Sequence, residues 1–237
     1  MSHSAARHPD PRLLELFQKI LILAPVLLFS FIAHEYAHGY AALHQGDTTA
    51  RDLGFLTWNP IKQIDPMMTI FVPIMLAINH LPVIGGVKGV PVDVRNFRHK
   101  VRGDIIVSLA GVTANICIAI ASVPLIIAFG KLGQSVESLT TSLSIVQLML
   151  NQAVALNILL ALFNLLPFPP LDGSRVFKHL LPSRLALAYQ RIGPVGYLLL
   201  FAVIFFKGST IFAPIGAAIE SVSAIYAPYM LPSPFPQ

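Results

Sequence analysis

Apolar residues run in long blocks along this chain, and polar residues gather between them. The blocks are Leu16–Leu43, Met67–Ile84, Ile105–Phe129, Ser144–Leu166, Val195–Phe206 and Ile211–Leu231. About 20 helical residues cross the roughly 30 Å hydrocarbon core of a bilayer, so the first, third and fourth blocks span it readily. The second contains Pro73, Asn79, His80 and Pro82, which fits a short span or a re-entrant loop. The fifth must borrow from the preceding LALAYQRIGP to reach across, and the last contains Pro214, Glu220 and Pro228. The pattern predicts an all-α polytopic membrane protein with about five to six transmembrane segments. Two stretches between the first and third blocks, TTARDLGFLTW and VKGVPVDVR, read as extended. In the second, Val90, Val92 and Val94 alternate with Pro91 and Asp93, which is the period of a strand, and proline confines it to a sheet edge. A small re-entrant or edge β element is expected there, with an ordinary loop as the alternative.

Composition agrees with a membrane protein: 55% of the residues are hydrophobic, only 11% are charged, and the mean hydropathy is +0.70. Soluble domains carry about 25% charged residues. The net charge of +5 does not indicate nucleic acid, because the basic residues lie between the apolar blocks. Lys88, Arg95, Arg98, Lys100 and Arg102 precede the third block, Arg175, Lys178, Arg184 and Arg191 follow the fourth, and only Lys131 lies between them. By the positive-inside rule both basic stretches face the cytoplasm, although Arg7, Arg12 and Lys19 oppose the orientation this gives the first block. Cys117 sits in an apolar run and excludes a disulfide framework. The expected organisation is a flexible tail at 1–12, one membrane-embedded domain at 13–231 and a short tail at 232–237. No internal repeat is present. The first block reads as a retained span, not a cleaved signal peptide, because it runs on through a cluster of ionisable residues.

That cluster lies in LLFSFIAHEYAHGYAAL, residues 27–43. Each ionisable group in a bilayer costs about 2.5–3.5 kcal/mol on insertion scales, so placing three within five residues needs a compensating interaction. His34-Glu35-Tyr36-Ala37-His38 reads H-E-x-x-H. Residues four apart share a helix face, so His34 and His38 can bind one zinc ion. Glu35, turned by about 100°, can then serve as general base to a metal-activated water. The alternative is a polar helix face hydrogen-bonded to neighbouring spans. A catalytic zinc takes three protein ligands. His44, His80, His99 and His179 lie near segment ends or in loops, where a solvated histidine is the ordinary explanation. Asp172, in FNLLPFPPLDGSR, follows the prolines that end the fourth block and reaches a similar depth to the two histidines. Taken alone, DGS favours an N-cap role for Asp172.

HEYAH, FNLLPFPPLDG, and their order and separation resemble the site-2 protease family of intramembrane zinc metalloproteases. AGVTAN (Ala110–Asn115) is similar to the family's G-P-x-x-N signature, with Val112 in place of proline. TWNPIKQIDP and VPVDVRNFR are also similar to the short members of the family. The resemblance runs from about Phe29 to Gly196 and implies a core-only member without PDZ or CBS domains. It implies one Zn2+ per chain, held by His34, His38 and Asp172, with Glu35 as catalytic base. Asn115 and Asn164 would contact the substrate or its oxyanion. The Val90, Val92 and Val94 strand would hold an unwound substrate segment by β-augmentation. The implied substrate is a transmembrane helix of another protein in the lipid bilayer, cut on the cytoplasmic side of a prokaryotic inner membrane; nucleic acid is not a partner, and oligomeric state stays open. Two rivals remain. An inactive relative that binds membrane helices would have no use for Glu35, and a metal transporter would spread ionisable residues along a path.

Overall fold

Helix α1 (Pro11–Gln45) carries the H-E-x-x-H cluster in its second half and holds Pro25 within it. The structure, a computed structural model, describes residues 11–71, 75 and 86–235. Most of the expected tail at 1–12 and most of the Met67–Ile84 block lie outside these residues. A glycine stop ends α1. Gly46 has φ +108°, its N–H donates to Leu43 O at 3.1 Å, and Asp47 N–H donates to Ala42 O at 2.9 Å. This is the double bond of a Schellman cap, which a left-handed glycine accommodates without strain.

Beyond the cap the chain doubles back along α1. It forms two short helices, α2 (Thr49–Asp52) and α3 (Pro60–Gln63), and a single π-helical turn at Pro66–Phe71. Trp58 stacks on Phe29 and Tyr36 of α1, with ring centroids 5.8 and 5.0 Å away. Tyr36 lies nine residues before the end of α1, roughly 13 Å along the axis, so the returning loop runs well down the helix.

Residues 86–93 have no regular secondary structure and lead into a 3-10 turn at Val94–Asn96. No strand forms among the described residues, so the expected β element is absent there. An edge strand needs a neighbour; the other extended candidate has become α2 and its flanking turns. Pro91 also offers no N–H to a ladder.

Helices α4 (Lys100–Ser135) and α5 (Thr140–Asn164) form the central antiparallel pair, joined by a 3-10 turn at Glu137–Leu139. Helix α1 packs against both. Cys117 faces outward from α4, not into the bundle. Pro167 stops α5, and the short α6 (Asp172–Phe177) begins five residues later. A 3-10 turn (Lys178–Leu180) and α7 (Ser183–Gln190) lead into α8 (Gly193–Tyr226), which packs on α5. The last two apolar blocks run on from one another along α8 as two helical stretches, separated by a kink at the non-helical Lys207. Pro214 is accommodated, as prolines in membrane helices commonly are. The result is an all-α integral membrane protein. Among the described residues, four stretches are long and apolar enough to cross a bilayer: Ile20–Gln45, Lys100–Ser135, Glu137–Asn164 and Leu198–Tyr229. Large apolar residues such as Leu198, Phe205 and Phe206 point outward, whereas Ser30, Asn115, Gln147 and Asn157 are wholly buried.

Candidate metal centre

Two elements deliver three potential ligands to one point. His34 and His38 share a face of α1, one turn apart, with rings at 83° to each other and centroids 4.6 Å apart. Asp172 is the first residue of α6. It does not cap that helix, because the N-cap is Leu171 and no side-chain cap bond is made. Its position depends on Gly173: a Cβ there would lie 2.2 Å from Leu165 O. Only glycine lets α6 fold back so tightly on the end of α5. The His34 and His38 Nε2 atoms are 3.0 Å apart, and Asp172 Oδ2 lies 3.1 Å from the first and 3.2 Å from the second.

The other ring nitrogens are committed. His38 Nδ1 donates to Val107 O at 2.7 Å, and His34 Nδ1 donates to Asn115 Oδ1 at 2.5 Å. Each Nε2 therefore turns a lone pair toward the carboxylate, and three acceptor atoms face one another in a nearly buried space. A cation resolves that arrangement. Ligands about 2.0–2.1 Å from a tetrahedral zinc are spaced roughly 3.3 Å apart, close to the separations found here. Gly111 on α4 closes the back of the cluster: a Cβ there would fall 2.5–2.6 Å from the His34 and His38 rings. Among the described residues these three form the one group of three or more metal-capable side chains with ligand atoms within 4.8 Å.

The cluster opens into a cavity of about 240 Å3 lined by Glu35, Gly89, Val90, Val92, Asn164 and Arg175, among others. Glu35 Oε2 accepts the Val90 N–H at 2.8 Å, so the irregular segment 86–93 sits directly over the carboxylate. Asp47 anchors that segment. Its wholly buried carboxylate accepts from Asp93 N at 2.7 Å, Asn96 Nδ2 at 2.9 Å, Thr49 Oγ1 at 2.5 Å and Thr49 N at 3.2 Å. Burial pushes Asp47 up, and the bonds from Asn96, Thr49 and Asp93 outweigh it, leaving the group below its ordinary value.

The remaining sequence candidates divide. Asn164 lines the cavity, and its Nδ2 donates to Leu160 O at 3.0 Å. Asn115 does not line it. It is wholly buried, with Oδ1 on His34 and Nδ2 donating to Asn157 Oδ1 at 2.6 Å, so both its polar ends are used inside the bundle. Val90 and Val92 line the cavity, while Val94 packs on the Ala42, Phe97 and Val107 cluster. His179 is not a loose solvated ring: it pairs with the buried Asp104 at 2.8 Å, beside Lys178 at 2.5 Å, and so clamps the segment after α6 to the start of α4. The sequence reading passed over Gly111, Asn157 and Arg175. Asn157 had a signal, being a polar residue in the middle of an apolar span. Gly111 stands in AGVTAN, the stretch similar to the family signature, but its role, the space it leaves, shows only in the packing.

The model of peptidase family M50 matches residues 22–206. YwhC of Bacillus subtilis, named as a candidate zinc metalloprotease, is 33% identical over 215 residues, covering 88% of this chain and 94% of YwhC. Rip2 of Mycolicibacterium smegmatis, named likewise, is 31% identical over 167 residues, 69% of this chain and 59% of Rip2. The Mycobacterium tuberculosis Rip2 is 28% identical over 188 residues, 78% of this chain and 66% of that protein. No solved structure matches the chain significantly.

Proposed function

Because this chain belongs to peptidase family M50, the site-2 protease family, and is a zinc metalloprotease, we propose that it cuts peptide bonds within or next to transmembrane helices of other membrane proteins. His34, His38 and Asp172 hold the zinc ion, and Glu35 is the base. The observation that carries this reading is the meeting of three acceptor atoms at 3.0–3.2 Å, with Glu35 on the wall of the cavity they open into.

When bound, zinc supplies Lewis acidity toward a carbonyl and brings the pKa of a coordinated water to about 7. Glu35 takes the water's proton and later returns it to the leaving amine, the paired duty of a general acid–base residue. The Val90 N–H occupies one site on Oε2, and a carboxylate with two oxygens keeps others with which to accept that proton. Segment 86–93 lies along the cavity edge, and an unwound substrate stretch pairs with its backbone there. Asn164, which lines the cavity and spends one amide N–H on Leu160 O, has its second N–H for the substrate backbone. Asn115 drops out of that role because its amide is spent inside the bundle. The basic residues flanking α4 and α6 support a site facing the cytoplasm.

The test pairs two measurements on the purified protein and Glu35→Gln: zinc stoichiometry, and cleavage of a panel of single-span peptides. Both proteins are expected to hold one zinc per chain, with cleavage at least 100-fold slower in the variant. Equal cleavage by both removes Glu35 from the mechanism, and a metal-free unaltered protein removes the centre itself.

A further inference from the structure

A backbone carbonyl orients His38 directly. The ring of His34 instead depends on the amide of Asn115, which by itself could present either its oxygen or its nitrogen. What fixes that amide lies deeper in the bundle. Asn115 Nδ2 meets Asn157 Oδ1 at 2.6 Å, Asn157 Nδ2 meets Ser30 Oγ and Ala153 O at 2.8 Å each, and Ser30 Oγ meets Val26 O at 2.8 Å.

We infer that Asn157, with Ser30 behind it, is a positioning residue for the metal centre that sets the tautomer of His34 through Asn115. The inference rests on the assignment of His34 as a zinc ligand. Two groups that only accept give the chain its direction. Val26 O can only accept, so the Ser30 hydroxyl donates to it. Ala153 O can only accept, so the Asn157 amide turns its nitrogen that way and gives its other N–H to Ser30. Asn157 Oδ1 is then left facing Asn115 and must receive an N–H. Asn115 in turn presents Oδ1 to His34, whose Nδ1 must carry the proton, leaving the Nε2 lone pair for the ion.

Turning either amide over would set N–H against N–H or carbonyl against carbonyl. Ser30, Asn115 and Asn157 are all 0% exposed, so water cannot repair such a mismatch. The far end of the chain abuts an apolar cavity of about 480 Å3 whose lining includes Val26 and Ala153. One line of donors thus runs across α4, α5 and α1, and partners that orient a ligand imidazole in this way sustain both metal affinity and ring position.

The experiment uses the full chain in detergent. Zinc affinity is measured by competition with a chromophoric chelator, ligand geometry by the Co2+ absorption spectrum, and stability by thermal unfolding of the metal-free protein. Asn157→Leu, and Asn157→Ala in case the larger side chain blocks folding, are expected to bind zinc about 10–100-fold more weakly and to alter the Co2+ spectrum. Ser30→Ala should fall between these and the unaltered protein, because Ala153 still holds the amide. Asn151→Leu is the control: it deletes the bond between Tyr226 and Asn151 on the same helix and should leave affinity and spectrum unchanged. An Asn157 variant that loses stability while binding zinc as tightly as before overturns the inference, as does an equal affinity loss in Asn151→Leu. If the unaltered protein binds no zinc, the metal assignment fails and the inference with it; if it binds zinc and the Asn157 variants match it, the inference alone fails.

Discussion

Helices α4 and α5 enclose two buried polar networks, one at each end, and they end on different things. At the end near the candidate metal centre, Ser30, Asn157 and Asn115 pass hydrogen bonds across three helices to the His34 ring, the proposed ligand. At the other end, Gln147 donates to Ile126 O at 2.7 Å and Tyr229 O at 3.0 Å and accepts from Leu231 N at 2.9 Å. Gly130 leaves room for that contact, since a Cβ there would lie 2.0 Å from Tyr229 O. Both amides are wholly buried. Gln147 meets only backbone and ties the segment after α8 to the central pair; Asn157 meets side chains that lead to chemistry. Burial alone does not tell a functional amide from a structural one. The atom at the end of its hydrogen-bond chain does.

The sharpest break in this contrast is Gly111→Ala. A methyl group 2.5–2.6 Å from both imidazoles must push them apart, and zinc affinity is expected to drop by a factor on the order of 100 while the far network stays intact; chelator competition measures it. Next is Gln147→Leu, which strands two carbonyls and an N–H. Its expected cost is about 1–3 kcal/mol of stability, seen in thermal unfolding, with zinc affinity unchanged. Loss of zinc from that variant would erase the distinction between the two ends.

The smallest effect is confined to acid. Asp47, whose carboxyl is held below its ordinary value, stabilises the folded state fully above its unfolded pKa of about 3.9 and loses that contribution as pH falls through the folded value. Asp93, held down to about 2 chiefly by its hydrogen bonds with Arg95, is exposed and adds little. Proteolytic nicking of segment 86–98 should therefore rise only below about pH 4. In Asp47→Asn the nicking should be faster at neutral pH and flat across that range.

Much of the site was legible because metal chemistry constrains spacing. The i, i+4 histidines and the intervening glutamate announce themselves inside an apolar block, and Asp172 follows a run of prolines that must end a helix. Three of the four long helices were legible from length and apolarity, whereas the fourth reads in the sequence as two separate blocks. What the sequence hid depends on partners. Alternation at Val90, Val92 and Val94 describes a backbone able to form a strand, but a ladder needs a second strand, and the residues that might have supplied it coil into α2. The fifth and sixth blocks follow one another along α8 as two helical stretches, with a kink at the non-helical Lys207 between them. Asn115 reads as a substrate contact through the resemblance of AGVTAN to the family signature, yet its partner Asn157, 42 residues away in sequence, takes up its amide inside the bundle.

Asp172 follows His34 by 138 residues, and this separation bears on biosynthesis. A ribosome that has made α1, α4 and α5 has inserted both imidazoles into the membrane but not yet supplied the carboxylate. On the proposed ligand set, the three-residue centre is therefore complete only once translation has passed residue 172.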